Sequence, residues 1–489
     1  MRKLSLPLVL CALFFAVRVQ AQTPQATPPP PAQPRSVAFP KPVEATLPNG
    51  LRVIVVERRE SPLISAQLLI KNGGEVDPSE LAGLADMTAS LLTKGTQTRD
   101  ATKIAQEIES LGGSLDSGAR WDSSYANVSV MSSKVSQAME ILADVVRHPT
   151  FKSEEVERLR QQNLDSITLA MGEPGSIARF VAARVVFGDS PYGHPISGTA
   201  ESMTRITAAD ITKMHSRYYR PDNAILVIGG DINAKDAVAL ATRYFGDWQK
   251  PSTEIAAPGP SRVSIIDTPP SAGRVVVIDK PDAGQAAVFL ARIGINRKDP
   301  DYFRGIVSNS VLSGYSGRLN QEIRIKRGLS YGAASTLDTR RDVGPFVASA
   351  QTKNESGAQV ADLLLSEISR LSSSPPADAE LTPRKAVLIG GFSRNLETAG
   401  GLVGQIGSLA LYGLSLDEIN RYINNVQAIT TADIQKFAGT RLNAKTANII
   451  IVGNAKAFLP ELQKKYPNVE VISIGDLDLN TALLRKKQG

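Results

Sequence analysis

Short, continuous apolar runs rich in β-branched residues recur along the chain. Leu51-Arg-Val-Ile-Val-Val56, Ala224-Ile-Leu-Val-Ile-Gly-Gly230, Gly273-Arg-Val-Val-Val-Ile278 and Ala447-Asn-Ile-Ile-Ile-Val-Gly453 are too short for helices and have the composition of buried strands. Two further strands are expected at Ile64–Lys71 and Ala286–Arg292, each soon after one of these runs. Tyr125–Met131 alternates apolar and polar residues and reads as another strand. Helical spacing covers Lys103–Leu111, stopped by Gly112-Gly113, and continues at Val135–Val146 and Ser153–Met171. The same pattern returns at Ala358–Ser372 and Thr382–Asn395.

These elements form two sets in the same order. Ile206-Thr-Ala-Ala-Asp-Ile211 returns as Ile429-Thr-Thr-Ala-Asp-Ile434, displaced by 223 residues, and Leu51–Val56 corresponds to Gly273–Ile278 at a displacement of 222. A near-constant offset with conserved order is the signature of an internal repeat. The chain therefore holds two copies of one α+β unit of roughly 210 residues each. A Pro-rich stretch, 251–273, separates them as a linker and contains Pro258-Gly259-Pro260 and Pro269-Pro270.

Composition adds boundaries. The 489 residues are 42% hydrophobic and 21% charged, enough apolar content for sizeable cores. Residues 1–21 resemble an export signal: Arg2 and Lys3, an apolar run Leu4–Val17, and Val19-Gln20-Ala21 as a small-residue cleavage site. The run is too short to be a membrane span, and no later stretch is long enough. The single cysteine, Cys11, lies within this signal, so the mature chain is expected to be cysteine-free, exported and periplasmic. A Pro/Gln/Ala-rich tether is expected at 22–42, the first unit at 43–250, the second at 274–475, and a polar, frayed tail at 476–489. Net charge is +7, and loss of Arg2, Lys3 and Arg18 leaves +4. With no basic stripe or aromatic platform, this charge does not point to nucleic acid.

Residues 83–96, Gly-Leu-Ala-Asp-Met-Thr-Ala-Ser-Leu-Leu-Thr-Lys-Gly-Thr, resemble the zinc helix of the pitrilysin and mitochondrial processing peptidase family, the inverzincins. In that family an H-x-x-E-H helix carries two His ligands and a Glu base. Further segments follow the family in order: Leu47-Pro-Asn-Gly-Leu-Arg-Val53, Ile108-Glu-Ser-Leu-Gly-Gly-Ser114, Tyr192-Gly-His-Pro-Ile-Ser-Gly-Thr199 and Tyr218-Tyr-Arg-Pro-Asp-Asn223. The resemblance implies two homologous α+β domains, each a mixed sheet with helices on one face, arranged as a clam-like half chamber.

It also shows what is missing. The three chemical positions of the helix fall on Asp86, Ala89 and Ser90, and the later Glu ligand, about eighty residues on, falls on Ser166 within Gln162-Asn-Leu-Asp-Ser-Ile167. The chain has three histidines, His148, His194 and His215, none spaced i, i+4 with a second ligand. Zinc needs three or four N, S or carboxylate ligands, so no metal is expected in this chain.

The segment from Leu312 to Gly332, by contrast, closely resembles the family's C-terminal substrate segment. The resemblance places carbonyl- and oxyanion-binding donors at Arg324 and Tyr331. Gly314, Ser316 and Gly317 form a turn able to approach a peptide closely, and a helix is expected over Arg318–Lys326, with Tyr331 opening the next strand. An empty zinc helix beside an intact Arg/Tyr segment implies a non-catalytic subunit of a heteromeric zinc peptidase. Its expected partner is a homologous subunit carrying an intact H-x-x-E-H motif and the zinc; its expected substrate is an extended or unfolded peptide. The alternative is a peptide-binding or scaffold protein on the same fold. An active zinc endopeptidase acting alone ranks below both.

Overall fold

The computed structural model describes residues 39–255 and 273–486. The expected export signal, most of the tether, most of the linker and the last three residues lie outside the described residues.

The apolar runs form two six-stranded sheets. The first contains β1 (Val43–Thr46), β2 (Arg52–Glu57), β3 (Leu63–Ile70), β4 (Ser114–Ala119), β5 (Ser124–Met131) and β6 (Ala224–Gly230), in the order β1-β2-β6-β3-β5-β4. The second contains β7 (Val275–Asp279), β8 (Ala286–Ile293), β9 (Ala333–Leu337), β10 (Pro345–Thr352), β11 (Asn448–Gly453) and β12 (Val469–Ser473), in the order β12-β7-β11-β8-β10-β9. Both are mixed: β2 runs parallel to β6, and β7 parallel to β11, with antiparallel pairs beyond. Five strands correspond one to one across the repeat. The sixth does not: β1 joins antiparallel from the start of the chain, and β12 joins parallel from its end.

The repeated Ile-Thr-x-Ala-Asp-Ile motif is a helix start. Thr207 and Thr430 each accept a hydrogen bond from the backbone N–H three residues on, and Asp210 and Asp433 reach back to the cap's own N–H. These capping boxes satisfy donors that the first helical turn leaves unpaired.

The near-continuous hydrophobicity of the strands reflects burial on both faces. In the first sheet Val53, Val55, Ala66 and Leu68 face helices of their own half, as expected. The alternate residues Ile54, Val56, Leu69, Ile225 and Val227 pack against Leu402, Val403 and Ile406 of the helix Ala399–Leu411, which belongs to the second half. The second sheet mirrors this. Val276, Ile278, Ala287 and Ile450 pack against Ile177, Ala178 and Val181 of the helix Pro174–Phe187, from the first half. Each half thus lends one helix to the far face of the other's sheet. Local sequence starts both helices: Pro174 occupies the first turn of one, and Thr398 caps the other by accepting from the Gly401 N–H.

Polar contacts reinforce the exchange. Arg341, in the β9–β10 hairpin, donates to the Glu75 carboxylate (3.0 Å) and to the carbonyls of Lys71 and Asp122 (2.7 Å each). Asp122 accepts from Tyr192 at 2.5 Å and from Tyr412 of the opposite half at 3.0 Å. Arg340 lies over the Trp121 ring, 4.6 Å from its centre. Burial pushes the Glu75 carboxyl up to about 7, and Arg341 opposes the shift.

The C-terminal segment corrects an expectation. Residues 476–486 are folded: Leu477, Leu479 and Leu484 are buried in the core between the Pro174–Phe187 helix and the second sheet, and Leu477 bridges to Arg485. Arg184 donates to the Leu479 carbonyl at 2.7 Å. Leu477, Leu479 and Leu484 anchor the segment, and their polar and charged neighbours Asp476, Asp478, Asn480, Arg485 and Lys486 hide that pattern. Among the described residues no helix is long and apolar enough to cross a membrane.

Candidate functional site

The former ligand positions sit on the helix Leu84–Leu91. Gly83 enters it with φ +92°, a left-handed conformation that favours glycine, and a Cβ there would also crowd the Ser197–Gly198 backbone at 3.0 Å. The buried Asp77 carboxylate caps the helix, accepting from the Gly83 and Ala85 N–H groups at 2.8 Å each. Burial raises the Asp77 pKa against these two bonds. The Gly-Leu-Ala opening is therefore a packing and capping device in its own right.

The chemical positions are occupied otherwise. Asp86 is half-buried, with the Ala119 N–H of edge strand β4 directed at it; burial raises its pKa. Ala89 is fully buried, and its carbonyl accepts from Ser117 Oγ at 2.8 Å. Ser90 is half-buried beside it. Ser166 lies exposed on the helix Ser153–Gly172 and donates to its own Gln162 carbonyl at 2.8 Å. The neighbouring Asp165 is also exposed and accepts from Gln161 at 2.9 Å. These residues do not fit zinc. The ligand positions hold Asp86, Ser90 and Ser166: Ser166 donates its hydroxyl to its own helix, and one carboxylate cannot replace three ligands, while Ala89 at the base position has no group to take a proton. Among the described residues no group of three or more His, Cys, Asp and Glu side chains could hold a metal ion. The histidines are scattered: His194 contacts the Pro195 and Gly74 carbonyls, His215 the Val146 carbonyl, and His148 lies near Asp144.

The second half holds a different kind of site. A cavity of about 520 Å³ is bounded by Gly314 and Tyr315 on one loop, by Arg324, and by Ser330, Tyr331 and Gly332 on the next. Its floor is β8, β9 and β10, through Phe289, Ala334, Ser349 and Gln351; its far wall is the start of the Pro174–Phe187 helix, through Gly175 and Arg179. Arg324 lies over the Tyr315 ring, 5.2 Å from its centre. The side chains of Arg324 and Tyr331 have no hydrogen-bond or ion-pair partner among the described residues, and Tyr331 is 89% exposed.

The surrounding loop is firmly built. Asn320 donates to the Tyr315 carbonyl (2.6 Å) and accepts from the Ala333 N–H, tying the loop to β9. Thr352 donates to the Leu329 carbonyl at 2.6 Å. Arg384 donates to the Ser313 carbonyl (3.4 Å) and to Ser316 Oγ.

Two expectations need correcting here. Arg318–Lys326 is not a continuous α-helix: a single α turn, Arg318–Asn320, passes into a π-helix, Gln321–Ile325, with Lys326 donating to the Gln321 carbonyl at 3.0 Å. The wider turn sets the direction of Arg324, which α-periodicity would have placed otherwise. Tyr331 precedes the strand, which begins at Ala333. Of the three turn residues, only Gly314 lines the cavity. Ser316 is engaged by Arg384, and Gly317 is buried where a Cβ would meet the Ser313 carbonyl at 2.3 Å, so both shape the turn. Arg179, Gln285, Phe289 and Gln351 were not foreseen, because they come from elements distant in sequence. The helix carries two arginines, Arg179 and Arg184, and nothing local distinguishes the one at the cavity from the one bonded to the Leu479 carbonyl.

Comparison with known proteins agrees with the fold. Residues 52–199 match the family model described as insulinase (peptidase family M16), and residues 205–388 match peptidase M16 inactive domain. An uncharacterized zinc protease of Mycobacterium leprae is 27% identical over 401 residues, 82% of this chain and 89% of that protein. The crystal structure of a peptidase M16 inactive domain from Pseudomonas fluorescens superimposes with a TM-score of 0.77 at 27% identity, covering 84% of this chain and 98% of that one. A protease from Helicobacter pylori shares the fold at a TM-score of 0.77 and 21% identity, over 85% of this chain and 100% of that one. Two mixed sheets in repeat, a zinc-helix position without ligands and these matches together lead to one assignment: the chain belongs to the M16 peptidase family, the insulinase and pitrilysin-like proteins, with homology to its inactive domain.

Proposed function

We propose that this chain is the non-catalytic, substrate-binding subunit of an exported, periplasmic heteromeric zinc peptidase. Its partner would be a homologous chain with an intact H-x-x-E-H helix, which holds the zinc. The observation that carries this reading is a pairing of opposites: Arg324 and Tyr331, without a hydrogen-bond or ion-pair partner among the described residues, flank one open cavity in a chain whose residues at the ligand positions do not fit zinc. A guanidinium and a phenol are both hydrogen-bond donors, and the guanidinium stays charged at any relevant pH. Directed at the scissile carbonyl of an extended peptide, they would stabilise the developing oxyanion.

The test is capture of the mature protein from its native periplasm, identification of any co-purifying chain, and assay of zinc and chelator-sensitive peptidase activity. The expected result is a stoichiometric partner with an intact motif that brings both zinc and activity. In that complex Tyr331→Phe should lower turnover by about 10²-fold, the usual scale for losing one oxyanion donor. Unchanged turnover removes the role given to Tyr331. A lone oligomer without zinc or activity replaces this reading with the peptide-binding or scaffold alternative.

A further inference from the structure

We propose that the Arg324/Tyr331 cavity selects peptides through a carboxylate, carried either at a free C terminus or on an acidic side chain. This specificity presupposes that the cavity binds peptide at all, and adds the chemical class that it prefers.

The charge distribution points this way. Two arginines line the cavity from different sides: Arg324 from the π-helix, and Arg179 from the helix lent by the first half. Neither has a hydrogen-bond or ion-pair partner among the described residues. Nearby arginines behave differently. Arg318, six residues before Arg324, is held in a two-pronged contact by Glu380 at 2.7 and 2.8 Å. Glu322, the nearest acid on the turn of Arg324, is taken by Lys326 at 2.9 Å and by Arg327.

Among the described residues no aspartate or glutamate lines the cavity; its remaining polar side chains, such as Gln285, Gln351 and Ser349, are neutral. Glu173, which precedes the Pro174–Phe187 helix, is exposed and outside the lining. The first turn of that helix reaches the cavity at Gly175, so its partial positive charge adds to that of the two guanidinium groups. An incoming carboxylate therefore meets positive charge without having to displace an existing acid. Arginine forks suit that partner geometrically as well as electrostatically. The rings of Phe289, Tyr315 and Tyr331 offer apolar surface to the residue beside the carboxylate.

The test uses the full mature chain and fluorescence anisotropy with four labelled decapeptides. They share a flexible sequence of Gly, Ser and Leu, carry an internal Asp or Asn, and end in a free or amidated C terminus. Wild type should bind a singly charged peptide about tenfold more tightly than the Asn amide, the scale of one charge-assisted hydrogen-bond pair. Added salt should reduce the preference. Which peptide gains, internal Asp or free C terminus, identifies the source of the carboxylate. In Arg179→Gln the ratio of charged to neutral affinity should fall towards one, and Arg179→Lys should restore part of it. Arg179 is exposed, so these variants should fold. Equal binding of all four peptides by wild type overturns the proposal while leaving peptide binding intact. A preference that survives the combined Arg179→Gln, Arg324→Gln change also overturns it. Failure to bind any of the four removes the peptide-binding reading itself.

Discussion

The two halves use one scaffold for opposite ends. Five strands in the same order support each, and each borrows a helix from the other. In the first half the positions resembling a catalytic helix are partly or wholly covered: Ala89 is fully buried, and the half-buried Asp86 lies against the end of β4. In the second half the chemistry faces out, with Tyr331 in solvent and Arg324 unpaired at a cavity. Packing explains the first arrangement completely. It does not explain the second, because an exposed ring and an unpaired guanidinium return little stability. Polar groups held on a stiff loop without internal partners are what a binding surface requires.

The contrast can be broken most sharply at Ala89. Ala89→Glu puts a carboxylate into a site with no room and no counter-ion, and should cost about 4 kcal/mol or more in urea unfolding, or prevent folding. A well-folded variant of near wild-type stability would show that the first-half helix is still an open site. Next come the exchanged helices. Ile177→Ala and Ile406→Ala each delete a fully buried side chain and should each cost about 2–5 kcal/mol. Both should act on one cooperative transition, since each residue lies between the halves. Two separate transitions, with one variant moving only one of them, would show that the halves do not depend on each other.

A smaller effect separates the junction from the two sites. With Glu75 raised to about 7 in the folded protein, against 4.5 for the unperturbed group, the folded state holds the extra proton between those values. Its contribution is therefore full below about pH 4.5 and is lost as pH rises through about 7. Relative to Glu75→Gln, wild type should lose about 3 kcal/mol between pH 4.5 and pH 8. A flat difference across that range would place Glu75 outside the titrating set. The smallest change is expected at Tyr331: Tyr331→Ala should move stability by no more than about 0.5 kcal/mol, because the ring is exposed. A larger loss would mean that the ring is structural, and the contrast with Ala89 would fail.

Much of the scaffold was legible. The strands β2, β3, β6, β7, β8 and β11 fall within a residue or two of the apolar runs that predicted them, as do the helices Val135–Arg147 and Ser153–Gly172. The residues at the ligand positions, Asp86, Ser90 and Ser166, and Ala89 at the base position are read directly from the sequence. Three features escaped. The π-helix around Arg324 has no signature in the spacing of apolar residues. The C-terminal leucines were masked by their charged neighbours. The exchange of helices was hidden because an apolar helix covering its own sheet and one covering another look alike in sequence.

Local chemistry accounts for what could be known in advance. Strand identity, helix starts at Thr207 and Thr430, the repeat, and the absence of zinc ligands depend on residues near one another in the chain, where periodicity and capping act. The cavity was beyond that reach. Arg179 and Arg324 face the same space only because the Pro174–Phe187 helix crosses to the second sheet, and burial of Ile177, Ala178 and Val181 against that sheet is what holds it there. Hydrophobic burial carries no label for its partner surface, so which distant face a helix covers is decided when the whole chain packs.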